Sequence, residues 1–382
     1  MADLGMKYYI IAGEASGDLH GSNLIKELKK LDDAADIRCW GGDLMQQAGA
    51  HLVKHYRDLA FMGFAEVVKN LGTILKNLKF CKKDILQFKP DALILIDYPG
   101  FNLRIAKWAR QQGLKVIYYI SPQVWAWKEN RVKEMKKDID KMIVIIPFEK
   151  EYFKNKWNWN VEYVGHPLAE EIERHKSARA GTDGAQGTSN KFSDKPIIAL
   201  LPGSRKQEIA KKLPIMLDVS KFFPGYQFII AEAPSVEDEF YRNFTKPHSN
   251  VSAVKNQTYN LLSQAKAALV TSGTATLETA LFGVPEVVCY KGSPISYQIA
   301  KRVIKVKYIS LVNLIMDRVV VKELIQSDLT AENLKHELNE LLTNEKRMAE
   351  LKKDYAELKQ ILSEGGNASG KAARSIIHFL SK

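Results

Sequence analysis

Apolar and polar positions alternate in blocks along the chain. Two series of short apolar, β-branched and aromatic runs follow one another, with amphipathic stretches between the runs. The first series covers residues 8–12, 37–40, 92–97, 115–121, 141–147 and 161–164, and the second covers 196–201, 226–233, 251–254, 267–270 and 285–290. Strands of parallel sheets are covered by helices on both faces, so they read as continuous apolar runs. The pattern therefore predicts an α/β protein with two doubly wound, Rossmann-like domains.

The break between the two series predicts the domain organisation. Residues 171–195 read EIERHKSARAGTDGAQGTSNKFSDK without a periodic apolar face, which is typical of a linker or disordered loop. We expect one domain over 1–170 and another over 196–363, with the binding site in the cleft between them. Leucines three and four residues apart predict one or two amphipathic helices over 331–363. The C-terminal segment 364–382 carries a last helix, which we expect to pack back on one of the domains.

The charge balance narrows the choice of partners. Lys and Arg number 56 against 44 Asp and Glu, which gives a formal net charge of +12. This excess suits nucleic acid, an anionic membrane surface or a phosphorylated substrate, although a solvated lysine-rich surface also explains part of it. Nucleic acid ranks last, because the sequence has no helix-turn-helix, zinc-finger or RNA-binding signature.

The cysteines and the lengths of the apolar runs indicate the cellular compartment of the protein. Cys39, Cys81 and Cys289 are far apart and not in metal-ligand spacing, which favours a reducing cytoplasm and no zinc site. The first apolar run is too short for a signal peptide, and no run reaches the 18 or so residues of a membrane span. We therefore expect a cytoplasmic protein, which lies on a membrane if it meets one.

A turn in the second half is typical of a nucleotide diphosphate site. The sequence TSGTATLE closes an apolar strand with small hydroxylated residues and opens a helix that carries one acid, Glu278. Amides at a helix N-terminus bind phosphate, and a carboxylate one turn further can accept hydrogen bonds from ribose. Neither a P-loop lysine nor GxGxxG is present, so a sugar nucleotide is the leading ligand. An ordinary βα loop with a solvated Glu278 is the alternative. The contacts expected here are Thr271, Ser272, Gly273, Thr274, Ala275, Thr276 and Glu278.

A second turn supports the same ligand. The sequence LLPGSR places Ser204 and Arg205 after another strand of the second series. A guanidinium beside a helix N-terminus can clamp a diphosphate and stabilise negative charge as the leaving group departs. Both turns follow strands of one predicted domain, which strengthens the nucleotide hypothesis.

Polar residues also follow two strands of the first series. The segment AGEASGDLHG places Glu14, Ser16, Asp18 and His20 after the first strand. Ligands of open α/β sheets bind at this carboxyl edge, where a carboxylate can accept hydrogen bonds from sugar hydroxyls. Asp97 ends another strand and can take a proton from an acceptor hydroxyl if burial raises its pKa. Helix capping is the competing interpretation for Ser16, Asp18 and Asp97.

The segment 58–79 carries more large apolar residues than one buried helix face requires. Lysines at positions 69, 76, 79, 82 and 83 flank it. This combination suits an interfacial membrane helix or a groove for lipid chains, whereas a core helix under a loop is the alternative. The expected membrane or acyl contacts are Phe61, Met62, Phe64, Val67, Val68 and Leu71.

Together these segments resemble the lipid-A-disaccharide synthases, inverting glycosyltransferases with two Rossmann-like domains of the GT-B type. The motifs span nearly the whole chain in family order. They are AGEASGDLHG (12–21), GFAEV (63–67), PDALILIDYPGFN (90–102), SPQVWAW (121–127), VGHP (164–167), LPGSRKQEI (201–209), TSGTATLETALFGVP (271–285) and YISLVN (308–313).

The resemblance implies a reaction. A 2,3-diacylglucosamine unit would pass from UDP-2,3-diacylglucosamine to 2,3-diacylglucosamine 1-phosphate (lipid X), giving a β-1,6-linked disaccharide 1-phosphate and UDP. No metal or cofactor is expected, because cations and helix dipoles would stabilise the leaving diphosphate. The expected setting is an anionic inner-membrane surface, and a homodimer is possible. The open alternatives are another GT-B enzyme with a UDP-N-acetylglucosamine-type donor and a non-catalytic peripheral membrane protein.

The resemblance also implies roles for individual residues. Arg205, Glu278 and Asn313 would contact UDP, and Arg302 would lie near its phosphates. Glu14 and Asp97 would serve acceptor binding or catalysis. Many members of the family have an Asp at the position of Gly100, so the identity of the general base stays open.

Overall fold

The chain forms two compact units. The computed structural model describes residues 5–59, 71–182, 191–234, 236–293, 306–363 and 366–382. The first unit comprises Met1–Pro167 with Ser363–Lys382, and the second comprises Leu168–Leu362. Each unit contains a parallel sheet with alternating helices, which confirms the predicted α/β class.

The first unit contains a seven-stranded sheet. Its strands follow the order β3-β2-β1-β4-β5-β6-β7, and all neighbours are parallel. The strands are β1 (Lys7–Ala12), β2 (Asp36–Gly41), β3 (His51–His55), β4 (Ala92–Ile96), β5 (Val116–Tyr119), β6 (Lys141–Val144) and β7 (Glu162–Tyr163). The helices are α1 (Ala15–Leu31), α2 (Asp43–Gln47), α3 (Leu71–Phe88), α4 (Pro99–Gln111), α5 (Arg131–Asp138) and α6 (Pro147–Trp157).

The strand order of the first sheet reverses between β1 and β4. Both strands are apolar throughout their interiors, and helices bury them on both faces. Ala12 and Ile96 are register partners near the ends of these strands. The residues after each strand therefore emerge side by side at the carboxyl edge, which is where open α/β sheets bind ligands.

The second unit contains a six-stranded sheet in the order β10-β9-β8-β11-β12-β13. The strands are β8 (Ile197–Leu201), β9 (Gln227–Glu232), β10 (Val251–Lys255), β11 (Ala265–Thr271), β12 (Glu286–Tyr290) and β13 (Lys322–Ile325). The helices are α7 (Pro167–Thr182), α8 (Lys206–Asp218), α9 (Asp238–Thr245), α10 (Thr258–Leu262), α11 (Thr274–Phe282), α12 (Leu311–Met316), α13 (Ala331–Thr343) and α14 (Glu345–Ser363). The order reverses between β8 and β11, where Leu201 pairs with Val270.

The linker predicted over 171–195 is partly wrong. Helix α7 continues to Thr182, and residues 191–195 lead into β8. Leu168, Ala169 and Ile172 form a buried apolar face of this helix. Two of these three residues precede the segment predicted as a linker. His175 adds to this face by stacking edge-on against Phe282. Residues 183–190 lie outside the described residues.

The C-terminal helix α15 (Ala368–Leu380) belongs to the first unit. It packs against α1, and its buried face consists of small residues and one isoleucine. The Ser375 hydroxyl donates a hydrogen bond to the Glu162 carboxylate of β7. In the part of the chain that the structure describes, no helix has the length and apolar character needed to cross a membrane.

Candidate active site

The two predicted nucleotide turns of the second unit line one cavity of about 350 Å³. Because β8 and β11 are parallel neighbours, the turns after them meet at the carboxyl edge of the sheet. Gly203 and Gly273 have φ angles of 126° and 134°, a region that favours glycine. The described lining residues are Leu201, Gly203, Ser204, Glu208, Ala231, Glu232, Ala233, Pro234, Thr258, Thr271, Ser272, Gly273, Thr274, Ala275 and Glu278.

Glu278 is the acid of this cavity. The Tyr259 hydroxyl donates to its Oε1 at 3.3 Å, which fixes the carboxylate from one side. Burial raises the pKa of Glu278, and the tyrosine hydrogen bond opposes that rise. The carboxylate lies one turn into α11, as expected for a group that binds ribose hydroxyls.

Two predicted contacts are placed differently. Thr276 is fully buried, and its hydroxyl donates to the Gly273 carbonyl at 2.8 Å, so it shapes the turn without lining the cavity. Arg205 caps the start of α8 and is half exposed, with Nη1 3.5 Å from Glu208 Oε1. It is not among the described lining residues, although Glu208 is.

The side chain of Asn313 is hydrogen-bonded within the second unit, and the UDP contact that the resemblance implies stays a prediction. Its Nδ2 donates to the Val321 carbonyl and to Glu323, each at 2.9 Å. Its Oδ1 accepts from the Val320 and Val321 amides at 2.8 and 2.9 Å. Both donors and both lone pairs of the side-chain amide are thus used within the protein. It holds the connection between α12 and β13. Arg302 lies outside the described residues.

Asp97 occupies a constrained turn in the first unit. Asp97 and Tyr98 have φ angles of 42° and 50°, which non-glycine residues rarely adopt. Asn102 Nδ2 and the Tyr118 hydroxyl both donate to the Asp97 carbonyl, at 2.8 and 2.6 Å. Strained turns that are fixed in this way are typical of functional sites.

The electrostatics of Asp97 suit a base. Burial, and next the charge of Glu14, raise the pKa of Asp97 to about 7. Glu14 follows β1 and caps the start of α1 in an extended conformation. The structure thus brings the two predicted acids into one electrostatic environment at the carboxyl edge of the first sheet.

Glu149 is an acid at this edge that the sequence analysis missed. It is 1% exposed, and it accepts from the Trp125 indole and the Ile146 amide, each at 3.2 Å. Burial raises its pKa to about 8, with a smaller contribution in the same direction from Asp97. The available signal was the Pro-Phe-Glu sequence that opens α6, just beyond β6 of the same sheet.

Asp18 has a structural role, and the substrate contact predicted for it stays a prediction. It is 3% exposed and accepts from the amides of Gly42, Leu44 and Met45 at 2.8, 3.2 and 3.0 Å. Gly42 is the N-cap residue of α2 and has no side chain, so Asp18 supplies the missing cap from a distant position.

Ser16 and His20 lie one turn apart on α1 and differ in exposure. Ser16 is exposed in the first turn, whereas His20 is buried. Burial lowers the pKa of His20 to about 4, and its Nδ1 has no hydrogen-bond partner among the described residues. Burial, followed by the charge of His20, lowers the pKa of His166 to about 3. Both rings are therefore neutral at physiological pH, and the substrate contact predicted for His20 stays a prediction.

Most of the predicted membrane contacts cannot be placed. Residues 61–68, which include Phe61, Met62, Phe64, Val67 and Val68, lie outside the described residues. Leu71 begins helix α3. Further along this helix, Leu75, Phe80 and Leu86 are 57%, 47% and 48% exposed.

Known proteins resemble this chain over its whole length. A family model described as lipid-A-disaccharide synthetase matches residues 8–377. The lipid-A-disaccharide synthase of Geobacter metallireducens is 38% identical over 378 residues, which cover 98% of this chain and 97% of that protein. The synthase of Coxiella burnetii (strain CbuG_Q212) is 36% identical over 379 residues, which cover 97% of each.

Solved structures support the fold. A Neisseria meningitidis UDP-GlcNAc 2-epimerase bound to UDP-GlcNAc has a TM-score of 0.64 at 14% identity and covers 98% of this chain and 99% of its own. The calicheamicin glycosyltransferase has a TM-score of 0.63 at 16% identity and covers 99% of each chain. These likenesses confirm the prediction of two Rossmann-like domains of the GT-B type.

Proposed function

The chain belongs to the lipid-A-disaccharide synthase family, and we propose that its substrates are UDP-2,3-diacylglucosamine and 2,3-diacylglucosamine 1-phosphate. It is a glycosyltransferase of lipid A biosynthesis. The reaction gives the β-1,6-linked disaccharide 1-phosphate and releases UDP. Attack at the anomeric carbon occurs from the face opposite UDP, so the configuration inverts.

The cavity after β8 and β11 is the observation that carries this proposal. Two glycine turns and the N-terminus of α11 offer amides to a diphosphate, and Glu278 accepts from the ribose. Arg205 lies exposed beside the cavity residue Glu208, so a change of rotamer brings its guanidinium to the phosphates. UDP-GlcNAc is bound by the epimerase described above, which supports a UDP-sugar in a fold of this type.

We assign the general base to Asp97. A carboxylate with a pKa of about 7 is ionised in part at neutral pH and is a stronger base than an ordinary aspartate. It takes the proton of the acceptor 6-hydroxyl as the oxygen attacks. Glu14 accepts a hydrogen bond from a second hydroxyl of the acceptor sugar, and its charge helps to keep the pKa of Asp97 raised.

We infer that the departing diphosphate needs no divalent metal. The amides of the two turns and the guanidinium of Arg205 supply the positive charge that a metal would otherwise provide. Turnover should therefore stay unchanged after treatment with EDTA. A loss that added Mg²⁺ restores would contradict this inference.

The exposed face of α3 supports binding to an anionic inner-membrane surface. Leu78, Cys81 and Ile85 bury one side of the helix in the core. The exposed surface of the helix carries three large apolar residues and three lysines, a pattern typical of an interfacial helix. Its residues are Leu75, Phe80, Leu86, Lys76, Lys79 and Lys83.

Vesicle flotation tests the membrane proposal. The double change Leu75→Ser and Phe80→Ser should weaken binding to anionic vesicles by about tenfold for each side chain. The control is Val319→Ser, since Val319 is an equally exposed apolar residue of the second unit, at 61%. Equal flotation of all variants would contradict a membrane role for α3.

Direct synthesis tests the function itself. The purified protein is incubated with UDP-2,3-diacylglucosamine and 2,3-diacylglucosamine 1-phosphate, and the products are identified by mass spectrometry. We expect the disaccharide 1-phosphate with equimolar UDP. Release of UDP without the disaccharide would contradict the proposed acceptor.

A further inference from the structure

Helix α8 carries a lysine in an unusual position. Lys212 is only 3% exposed, and its Nζ donates a hydrogen bond to the Thr271 hydroxyl. A Cβ atom placed on Gly203 would lie 3.5 Å from the same Nζ. The ammonium group therefore touches both turns of the nucleotide cavity, the one after β8 and the one after β11.

The charge of Lys212 is only partly balanced, by the nearby carboxylate of Glu208. No carboxylate among the described residues pairs with it, and the nearby acid Glu208 pairs with Arg205 instead. Burial lowers the pKa of Lys212, and the charge of Glu208 opposes this effect without cancelling it, so the ammonium is destabilised at this position. Such a group is stabilised when an anion binds beside it.

A cavity of about 180 Å³ lies at this ammonium. It shares Glu208, Thr271 and Ser272 with the nucleotide cavity, so the two are contiguous. Lys211 and Lys291 also line it, which makes its surroundings cationic. A phosphate group at the edge of the nucleotide cavity would therefore meet Lys212.

We propose that Lys212 binds the β-phosphate of the UDP-sugar and stabilises UDP as the leaving group. This inference rests on the proposed function and adds a cation to its donor site. In the reaction, the bond between the anomeric carbon and the β-phosphate oxygen breaks, and its electron pair stays on that oxygen. The acceptor oxygen forms the new bond to the anomeric carbon and gives its proton to Asp97. The extra negative charge on UDP is stabilised by the ammonium of Lys212.

Replacing Lys212 with Met tests the proposal. Methionine keeps a long side chain that fits the buried site but removes the charge. Calorimetry should show that K212M binds UDP at least about tenfold more weakly than wild type, because a charge-assisted hydrogen bond is lost. Its affinity for uridine should be unchanged. Disaccharide turnover should fall as well. The control is Lys221→Met, which removes an exposed lysine that lies beyond α8 and stacks on Phe222.

Proton uptake separates phosphate binding from a purely structural role. Wild-type protein should take up protons when it binds UDP at alkaline pH, because the phosphate raises the pKa of Lys212, and K212M should not. The titratable groups that influence Lys212 are Glu208 and Lys211 on its own helix and Cys289 on β12. Burial raises the pKa of Cys289 to about 12, so its thiol stays neutral. Calorimetry in buffers with different ionisation enthalpies measures the uptake.

Two results would overturn the inference. One is affinity for UDP within twofold of wild type in K212M, and the other is an equal loss of affinity for UDP and uridine, which would indicate that Lys212 only orders the Thr271 turn. Failure of the proposed function has a different signature, because wild-type protein would then neither bind UDP nor form the disaccharide.

Discussion

Replacing Asp97 with Asn should stabilise the first unit while it abolishes turnover. Burial and the charge of Glu14 raise the pKa of Asp97 from its ordinary 3.8 to about 7. The folded unit therefore disfavours the ionised carboxylate by about 4 kcal/mol. Asn tolerates the left-handed backbone at this position as Asp does, so the substitution changes the charge with little change in strain.

The stabilisation should grow with pH. Below pH 3.8 the Asp97 carboxyl is protonated in both the folded and the unfolded chain, so wild type and D97N should be equally stable. Between 3.8 and about 7 only the unfolded chain ionises at this residue, so wild type loses stability as the pH rises. Above this range the difference reaches its full value, which corresponds to roughly 10 °C in Tm for a unit of this size.

Tryptophan fluorescence can follow the first unit alone. All six tryptophans lie in it, at positions 40, 108, 125, 127, 157 and 159. Urea unfolding of wild type and D97N across the pH range gives the stability difference, and disaccharide formation gives the loss of turnover. The E14Q variant serves as a comparison, because it removes the smaller cause of the raised pKa and should be stabilised less. A D97N variant that is no more stable than wild type above neutral pH, or that retains turnover within a few-fold, would refute the reasoning.

Three other changes test the remaining roles. Arg205→Ala should lower turnover by ~10² because it removes charge stabilisation of the departing UDP, and activity within a few-fold of wild type would remove that role. Glu278→Ala should weaken the binding of both UDP and uridine in calorimetry, because the carboxylate binds the ribose hydroxyls. Unchanged affinity would indicate that Glu278 does not contact the nucleotide. Asp18→Ala should cost about 2 kcal/mol of first-unit stability, because three backbone amides lose their acceptor. A change in KM without any loss of stability would support the substrate contact predicted for Asp18.

The sheets and the two nucleotide turns could be predicted because their signals are local. Apolar runs identify buried parallel strands, and a small-residue turn directly after a strand must lie at the carboxyl edge of the sheet. Gly203 and Gly273 illustrate this, since each follows its strand within two residues and lines the cavity. Because β8 and β11 are neighbours in the sheet, the turns that follow them lie side by side.

The side-chain contacts that could not be predicted involve partners that are distant in sequence or belong to other elements. Asp18 caps a helix that begins 25 residues later, and Glu149 bonds to Trp125 across 24 residues of chain. Asn313 follows a family motif, but its amide is used by backbone groups of the β13 region that no sequence pattern reveals. Lys212 looked like an ordinary helix lysine, because burial against Thr271 arises only when β8 and β11 pair.

The position of α15 sets an order for assembly on the ribosome. Residues 363–382 complete the unit that begins at the N-terminus, whereas the second unit is one continuous segment between the two pieces. The second unit can therefore fold as soon as it emerges, while α1 lacks a packing partner that is translated only after the second unit. A nascent chain stalled before α15 would expose the apolar surface of α1 that Ala372, Ala373 and Ile376 later cover. Loss of α15 should consequently destabilise the first unit before the second.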